Sequence, residues 1–255
     1  MDYREYPAPD ELSGLIKLGW HLRMPGNDAA ASDDAMLEQV VTPDGCMELI
    51  WRSRGRTFWH REQPQRFVAG LIGKPIRLQF SADVECWGLR LWPWTWAALG
   101  GLPAQRFLDD WLPFEISGLS AVTCARLENP EIPNWAFWRL LLADAASDQM
   151  ADARRLGRVI LQSGSVAAIV AGSGLGQRSL QRWFAQTVGI PPRSYLRMLR
   201  FQDSLQSLQA DDASVAAVAA AAGYADQAHM ARDFRVLAGR QAKQLRRRAK
   251  GPFLA

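Results

Sequence analysis

Hydrophobic and polar positions follow two different periods along this 255-residue chain. In the first half, short runs rich in Val, Ile, Leu, Phe and Trp alternate with turn residues such as Pro, Asp and Gly. These runs cover residues 47–51, 57–59, 67–72, 76–80 and 84–92. Runs of this length at this spacing are typical of antiparallel strands, and they predict a barrel or a sandwich.

Helical periodicity replaces the strand pattern after residue 93. Residues 96–99, 104–111 and 134–145 carry apolar side chains at helical spacing, so we expect helices that follow the strands. The remainder of the chain is patterned as helices throughout. We therefore predict an α+β fold with two domains: an antiparallel β domain with trailing helices over residues 1–150, and an all-α domain over residues 151–255.

Two segments of the C-terminal half repeat one design. Each begins with Ser-Val-Ala-Ala, at Ser165 and at Ser214, and passes through a glycine turn at Gly174 or Gly223. Each then ends in a helix that carries an apolar residue, an arginine and a phenylalanine. A short helix, a turn and a second helix that enters the DNA major groove make up a helix-turn-helix. We predict two such motifs, joined by a linker helix from about residue 191 to about residue 208.

The second helix of each motif separates an apolar face from a polar one. Leu180, Trp183 and Phe184 share the apolar face in the first copy, and Met230 and Phe234 do so in the second. Arg and Gln on the opposite face match the hydrogen-bonding edges of guanine and adenine. A solvated helix face is the alternative, and the recurrence of Arg in both copies favours base reading. The candidate base-contact residues are Gln177, Arg178, Gln181, Arg182, Gln227, Ala228, Ala231 and Arg232.

Other features of this half support the same interpretation. Arg193, Arg197 and Arg200 of the linker helix are candidates for phosphate contacts. The basic run at residues 246–250 is expected to add salt-dependent affinity without sequence preference. The glycine-rich run at residues 172–176 follows a helix-like segment rather than a strand, so we interpret it as a turn and not as a phosphate-binding loop. Asp226 is placed to cap the helix that follows it.

Charge differs strongly between the two halves. Residues 1–150 have 14 Lys and Arg against 20 Asp and Glu, a net charge of −6. Residues 151–255 have 16 against 6, a net charge of +10, and 14 of those basic residues are Arg. This asymmetry predicts double-stranded DNA as the partner of the basic half. We expect no membrane partner, because no basic amphipathic helix has a bulky apolar face and no apolar run approaches the ~20 residues that cross a bilayer.

Candidate chemistry in the first half is limited to a pocket for a small molecule. Ten of the eleven Trp residues precede residue 139. Because aromatic-lined cavities in small barrels hold small apolar molecules, Trp51, Trp87 and Trp92 are candidates for an effector pocket. Core packing and a partner surface are the alternatives for these side chains.

Enzymatic and metal chemistry is not predicted. His21, His60 and His229 are isolated from one another, so we expect neither a metal site nor a cofactor. No nucleophile is paired with a base, and Cys46 is expected to be buried in a turn that leads into a strand. Three dispersed cysteines and the lack of an apolar signal segment predict a cytoplasmic protein.

These motifs closely resemble the DNA-binding domain of the AraC/XylS family of bacterial transcription regulators, over residues 152–248. The resemblance implies a seven-helix domain whose two recognition helices enter successive major grooves on one face of DNA. It implies that the family's contact positions are held by Arg178, Gln181 and Arg182 in the first helix and by Gln227, Ala228, Ala231 and Arg232 in the second. This chain departs from the family at Gly176, where Ser or Thr is usual, at Val170, and at Ala242 and Leu245 after the second copy. The matching motifs are Leu180-Gln181-Arg182-x-Phe184, Gly189-x-Pro191-Pro192-x-x-Tyr195, Arg200-x-x-x-x-Leu205, Gly223-Tyr224-x-Asp226-Gln227 and Arg232-x-Phe234.

The N-terminal half is similar to a sensor domain found in one branch of this family. The similarity covers Pro43-Asp44-Gly45-Cys46-x-Glu48-Leu49-Ile50, Gly88-Leu89-Arg90-Leu91 and Ala98-Leu99-Gly100. It implies a cupin-like β domain that binds a small-molecule effector or pairs subunits. RNA polymerase and a second copy of the chain are the further partners that such a regulator would have. We predict a sequence-specific, DNA-binding transcription regulator. The alternatives are a cupin-type enzyme with a DNA-binding tail and an architectural DNA binder.

Overall fold

Strands come first along the chain and helices follow. The computed structural model describes residues 1–24, 36–128, 134–144, 147–210, 214–245, 249–250 and 253–254. The strands are β1 (Asp2–Pro7), β2 (Ile16–Arg23), β3 (Met36–Val41), β4 (Met47–Arg54), β5 (Thr57–Trp59), β6 (Arg61–Glu62), β7 (Arg66–Ala69), β8 (Ile76–Ser81), β9 (Glu85–Leu91), β10 (Trp111–Pro113), β11 (Ala249–Lys250) and β12 (Phe253–Leu254). The helices are α1 (Pro93–Ala98), α2 (Ala121–Arg126), α3 (Trp135–Asp144), α4 (Ser147–Leu161), α5 (Val166–Ser173), α6 (Gln177–Thr187), α7 (Pro192–Ala210), α8 (Val215–Ala221), α9 (Gln227–Ala238) and α10 (Ala242–Leu245).

The strands form two six-stranded sheets, which we call sheet A and sheet B. Sheet A has the order β1-β2-β9-β4-β7-β10, and sheet B has the order β11-β12-β3-β8-β5-β6. The pairings of both sheets are antiparallel, so the predicted α+β fold with an antiparallel N-terminal part and a helical C-terminal part is confirmed. The short strands β11 and β12 lie after the last helix and extend sheet B at β3.

The prediction of a helix over residues 104–111 is wrong. Residues 104–111 were expected to be helical, but only Ala104–Phe107 forms a 3-10 turn. Asp109 has a φ of +56°, which a continuing helix does not allow. Trp111 then begins β10 and pairs with Ala69 of β7. Its indole N–H donates to the carbonyl oxygen of Trp59 over 3.0 Å, so tertiary pairing outweighs the helical spacing of its apolar residues.

Sheet A is buried on both faces. Successive residues of a strand point to opposite sides, so Met47, Leu49 and Trp51 of β4 face a layer of helices. Ile50, between them, packs toward sheet B together with Phe80 of β8. Because both faces are covered, strand β4 has an almost continuous apolar sequence rather than a clean alternation.

The core between sheet A and the helices continues into the C-terminal half. Trp94 of α1 belongs to the same apolar cluster as Leu156 and Ile160 of α4 and Leu180 and Phe184 of α6. The predicted boundary after residue 150 falls within α4 (Ser147–Leu161). The division into two domains at that position stays a prediction.

The last three helices pack with α7 around a third core. Phe201 of α7 and Phe234 of α9 are fully buried, and their rings meet edge to face at 4.9 Å. Ala242 and Leu245, where the chain departs from the family pattern, are both buried in this cluster. The C-terminal helix α10 therefore packs in spite of those two substitutions.

Gly157 of α4 lies against the indole of Trp94 in α1, and this contact generates a prediction. A Cβ atom at this position would lie 2.3 Å from Nε1 of Trp94, which is held in place because Nε1 donates to Gly14 O over 2.7 Å. Overpacking of this kind costs about 1–3 kcal/mol, while Ala favours a helix over Gly by ~1 kcal/mol. We therefore expect Gly157→Ala to lower the free energy of unfolding by a net amount of up to about 2 kcal/mol. Urea or thermal unfolding of the full chain measures it.

A double-mutant cycle provides the control. Trp94→Phe removes the pyrrole edge of the indole, so the added methyl group should cost less in that background. Equal costs in both backgrounds, or a stabilising effect of Gly157→Ala alone, would contradict the proposed contact.

Candidate DNA interface and sheet cavity

Helices α5 and α6 form the first helix-turn-helix. Ser165 begins the unit, since its side chain accepts a hydrogen bond from the backbone N–H of Ala168. The turn follows at Gly174, whose φ of +73° is a left-handed conformation that glycine adopts without steric cost. This geometry confirms the turn interpretation of residues 172–176. Helix α6 begins after Gly176, which offers no side-chain cap.

Helices α8 and α9 repeat this geometry. Ser214 caps α8 by accepting from the N–H of Ala217, and Gly223 has a φ of +74°. Asp226 accepts a hydrogen bond from the N–H of His229 over 2.6 Å. The predicted cap of α9 is therefore confirmed.

Both second helices bury their apolar face and expose their polar one. Leu180 and Phe184 of α6 and Met230 and Phe234 of α9 are 0% exposed. Trp183, expected on the same apolar face, is half-buried. Ala231 is half-buried, and the other candidate base-contact residues are exposed: Gln177, Arg178, Gln181, Arg182, Gln227, Ala228 and Arg232. The base contacts of these residues stay predictions.

Two of the three linker-helix arginines have partners within the protein. Arg197 Nε donates to Asp233 Oδ1 over 2.8 Å, and Asp233 is a buried residue of α9. The guanidinium of Arg200 lies 5.4 Å from the ring centre of Tyr224. Arg193 is exposed near the start of α7. Residues 246–248 of the predicted basic tail lie outside the described residues.

Asp233 is a residue whose role we did not predict. Its signal in the sequence is an acidic side chain next to Phe234, inside the most basic part of the chain. By pairing with Arg197, Asp233 attaches the second candidate recognition helix to the linker helix. A charged residue at a buried helical position indicates such a partner.

The linker helix α7 also contacts the turn that precedes β4. The hydroxyl of Tyr195 donates to Gly45 O over 2.8 Å, and both atoms are buried. Further along the helix, Gln202 Nε2 donates to Pro43 O and to Thr42 Oγ1, the latter over 3.3 Å. The turn at Gly45, with a φ of +80°, is the turn predicted from the sequence.

A cavity of about 70 Å³ lies between sheets A and B. Most of its lining is apolar, with Trp20 of β2 and Trp59 of β5 on two of its sides. Polar side chains also line it, and they include Asp44, Glu48 and Arg90. Thr42 and Asp44 belong to the same turn that α7 contacts, so the cavity adjoins the linker helix through one short segment.

Arg90 is a buried cation surrounded by acidic groups. Its Nε donates to Glu48 Oε1 over 2.7 Å and lies 3.0 Å from Asp44 Oδ2, while Nη1 donates to Glu5 Oε1 over 3.0 Å. Burial by itself would lower the pKa of Arg90, but Tyr3, Glu48 and Asp44 outweigh it and hold that pKa well above its usual range. Burial raises the pKa of Glu48 in turn. The charge of Arg90 is thus retained and compensated within the protein.

The three tryptophans predicted for an effector pocket do not line this cavity. Trp51 and Trp87 are cross-strand partners in β4 and β9 and point from sheet A toward the helices. Trp92 follows β9, and its indole stacks on the indole of Trp94 in α1, with 5.5 Å between the ring centres. The cavity is lined instead by Trp20 and Trp59, which pack between the sheets.

Two of the cysteines, Cys46 and Cys86, are buried thiols. Burial raises the pKa of the Cys46 thiol, and it raises that of Cys86 to about 12, so both are protonated at neutral pH. Within the described ranges, no group of three or more His, Cys, Asp or Glu side chains is arranged to hold a metal ion. In the same part of the chain, no helix has the length and apolar character that crossing a membrane requires.

Comparison with known proteins identifies the C-terminal half. A family profile described as a helix-turn-helix domain matches residues 169–248, which include both candidate recognition helices, the linker helix and the second turn. Residues 169–248 therefore form a helix-turn-helix domain. The chain is a DNA-binding regulator of transcription.

The N-terminal half of this regulator matches a domain family without an assigned activity. A profile described as a domain of unknown function (DUF6597) covers residues 4–113. No curated protein matches the chain.

Several solved structures show a distant likeness to this chain. A probable AraC family transcriptional regulator from Rhodopseudomonas palustris CGA009 has 22% identity and a TM-score of 0.34, and the match covers 37% of this chain and 94% of that one. ToxT from Vibrio cholerae has 10% identity and a TM-score of 0.46, with 96% and 97% covered. ToxT from Vibrio cholerae O395 bound to (E)-4-(8-methylnaphthalen-1-yl)but-3-enoic acid has 8% identity and a TM-score of 0.46, with 96% and 98% covered. Because every TM-score is below 0.5, no functional argument rests on these structures.

The ion pair between α7 and α9 generates a prediction about stability. Arg197→Ala removes the donor that Asp233 Oδ1 uses and leaves a buried carboxylate, which should cost about 1.5–3 kcal/mol of unfolding free energy. Arg193→Ala, on the exposed side of the same helix, is the matched control and should stay within about 0.5 kcal/mol. Urea unfolding of both variants measures the difference. Equal stability of the two would show that the pair contributes nothing.

Proposed function

We propose that this regulator reads a specific DNA sequence with α6 and α9, and that a small molecule held between its two sheets modulates that reading. The observation that carries the first part is the equivalent placement of Arg182 and Arg232. Both side chains are exposed at corresponding positions of two helices whose opposite faces are fully buried. A helix face that only contacts water does not require Arg at the same position in both helices. Two helices that each contact bases in a major groove would require it.

The charge of the second half supports contact with DNA over a wide surface. Residues 151–255 carry a net charge of +10, mostly from Arg. Exposed Arg193 at the start of α7 would reach a phosphate, since the base-reading helices lie on either side of the linker. Two helix-turn-helix units on one face of DNA read half-sites about one helical turn, ~10 base pairs, apart.

The cavity supports the second part of the proposal. Its lining includes Thr42 and Asp44, and the same turn accepts hydrogen bonds from Tyr195 and Gln202 of α7. A ligand that favours one arrangement of this turn would therefore bias the position of the linker helix. Couplings of this kind are typically about 1–3 kcal/mol.

The same proposal includes a cytoplasmic location, no enzymatic turnover and further protein partners. A second copy of the chain and RNA polymerase are the partners that we propose for this regulator. Light scattering of the purified chain, alone and with its DNA site, would test the homodimer directly.

The two arginines provide the test of base reading. A duplex selected in vitro from a random library by the full chain should contain two half-sites ~10 base pairs apart. Arg182→Ala and Arg232→Ala should each weaken binding to this duplex by about 1–3 kcal/mol and relax the preference at one half-site only. Fluorescence anisotropy with the selected and a scrambled duplex measures both effects.

A charge-matched variant controls for nonspecific electrostatics. Arg77 of β8 has a side chain that is 74% exposed and lies in the N-terminal half, so Arg77→Ala lowers the net charge equally without changing α6 or α9. Arg77→Ala should leave the preference for the selected duplex over the scrambled one unchanged. If Arg182→Ala and Arg232→Ala weaken selected and scrambled DNA equally, these arginines bind phosphates and the assignment of the reading face is wrong.

Arg193 should behave differently from the base readers. Its replacement by Ala removes one phosphate contact, so binding to all duplexes should weaken alike and the slope of log K against log salt should fall by about 1. Titrations at several salt concentrations measure the slope. A loss confined to the selected duplex would indicate a base contact instead.

A further inference from the structure

Three buried hydrogen-bond donors at the cavity have no partner within the protein, whereas the acceptor Asp44 Oδ2 lies 3.0 Å from Arg90 Nε. They are Thr57 Oγ1, Trp20 Nε1 and Trp59 Nε1, and all three residues line the space between the sheets. The three residues are 2%, 4% and 3% exposed, so more than nine-tenths of each is buried. Leaving such a group unsatisfied costs roughly 1–3 kcal/mol, and each instance calls for an explanation.

Most other buried indoles of this chain do find an acceptor. Those of Trp51, Trp92, Trp94, Trp96 and Trp111 donate to backbone carbonyl oxygens at 2.7–3.0 Å. Among the described residues, Trp138 in the helix layer is the remaining buried indole without an acceptor. Two of the three unpartnered indoles therefore line one cavity, together with an unpartnered hydroxyl.

Charge excludes an anionic ligand from this space. Among the described residues that line the cavity, Arg90 is the single basic residue, and Asp44 and Glu48 are the two acidic ones. Each nitrogen of its guanidinium already has an oxygen at 2.7–3.0 Å, the third being the hydroxyl of Tyr3. A ligand carboxylate would thus lose its hydration and meet a lining with excess negative charge.

Size limits the ligand further. The cavity of about 70 Å³ is smaller than the roughly 150 Å³ cavity that holds a benzene ring. Its apolar walls suit a short hydrocarbon body, and its free donors suit an oxygen that accepts hydrogen bonds.

We infer that the cavity binds a compact, uncharged, largely apolar molecule of the size of a short-chain ketone, whose oxygen accepts hydrogen bonds from one or two of the three donors, Trp20 Nε1, Thr57 Oγ1 and Trp59 Nε1. This inference rests on the proposed effector role of the cavity and adds the chemical class of the effector. Carboxylates of the same size are excluded by the compensated charge of Arg90.

Three probes of equal size test this class with the full chain. Butanone has the acceptor and no charge, propanoate has the same heavy-atom shape with a charge, and 2-methyl-1-butene has the shape without the acceptor. In ligand-observed NMR titrations, butanone should bind at least about tenfold more tightly than propanoate. It should also bind more tightly than the alkene, because only the ketone satisfies the buried donors.

A matched pair of threonine variants isolates the hydrogen bond. Thr57→Val removes the unpartnered hydroxyl with little change of shape, so it should weaken butanone about fivefold, leave the alkene unchanged and not lower the melting temperature. Thr95 is 0% exposed, and its hydroxyl donates to Leu15 O over 2.7 Å outside the cavity. Thr95→Val should therefore lower the melting temperature and leave the affinity for butanone unchanged.

The outcomes separate this inference from the proposed function. Tighter binding of propanoate, no binding of any probe, or unchanged butanone affinity in Thr57→Val would overturn the ligand class. Binding of butanone in the expected pattern, with no effect on the affinity for the selected duplex, would support the ligand class and contradict the effector role. Modulation of DNA binding by propanoate alone would support the effector role and overturn the ligand class.

Discussion

Burial of both faces of sheet A is the constraint on which the rest of the structure depends. One face packs against sheet B and encloses the cavity, while the other is covered by helices. Trp94 makes three contacts within this layer of helices. Its indole N–H donates to Gly14 O, and its ring packs edge to face on Tyr195 with 6.1 Å between the ring centres. The indole also lies close to Gly157 of α4. The first helix-turn-helix is therefore packed on the β part through a shared core, and its orientation is determined by that packing.

The linker helix α7 contributes to two cores at once. Tyr195 and Met198 belong to the core shared with sheet A, whereas Phe201 and Leu205 belong to the core of the second helix-turn-helix. The two motifs are therefore held in different ways. Helix α6 packs directly on the shared core, while α9 is carried by α7 and by the ion pair of Asp233. A change at the turn before β4 would reach both motifs through this one helix.

The cavity shows two opposite treatments of buried polar groups. The charge of Arg90 is fully compensated by neighbouring oxygens, which a buried cation requires because its desolvation is costly. The donors of Trp20, Thr57 and Trp59, which line the same cavity, are left without partners within the protein. A ligand that accepts hydrogen bonds would satisfy such donors without any change of the fold.

Local patterns in the sequence determined the helical half of this protein. Capping residues such as Ser165 and Asp226, glycines at the turns and apolar spacing on α6 and α9 act within a few residues of one another, so the two motifs and their exposed faces could be predicted. The strands β1, β2 and β3, the 3-10 turn at Ala104–Phe107 and the cavity lining were decided by tertiary structure. In a sheet buried on both faces, apolar residues such as Trp51 and Ile50 are equally suited to either side. Only the pairing register, in which Trp51 lies opposite Trp87, decides that both face the helices rather than the cavity.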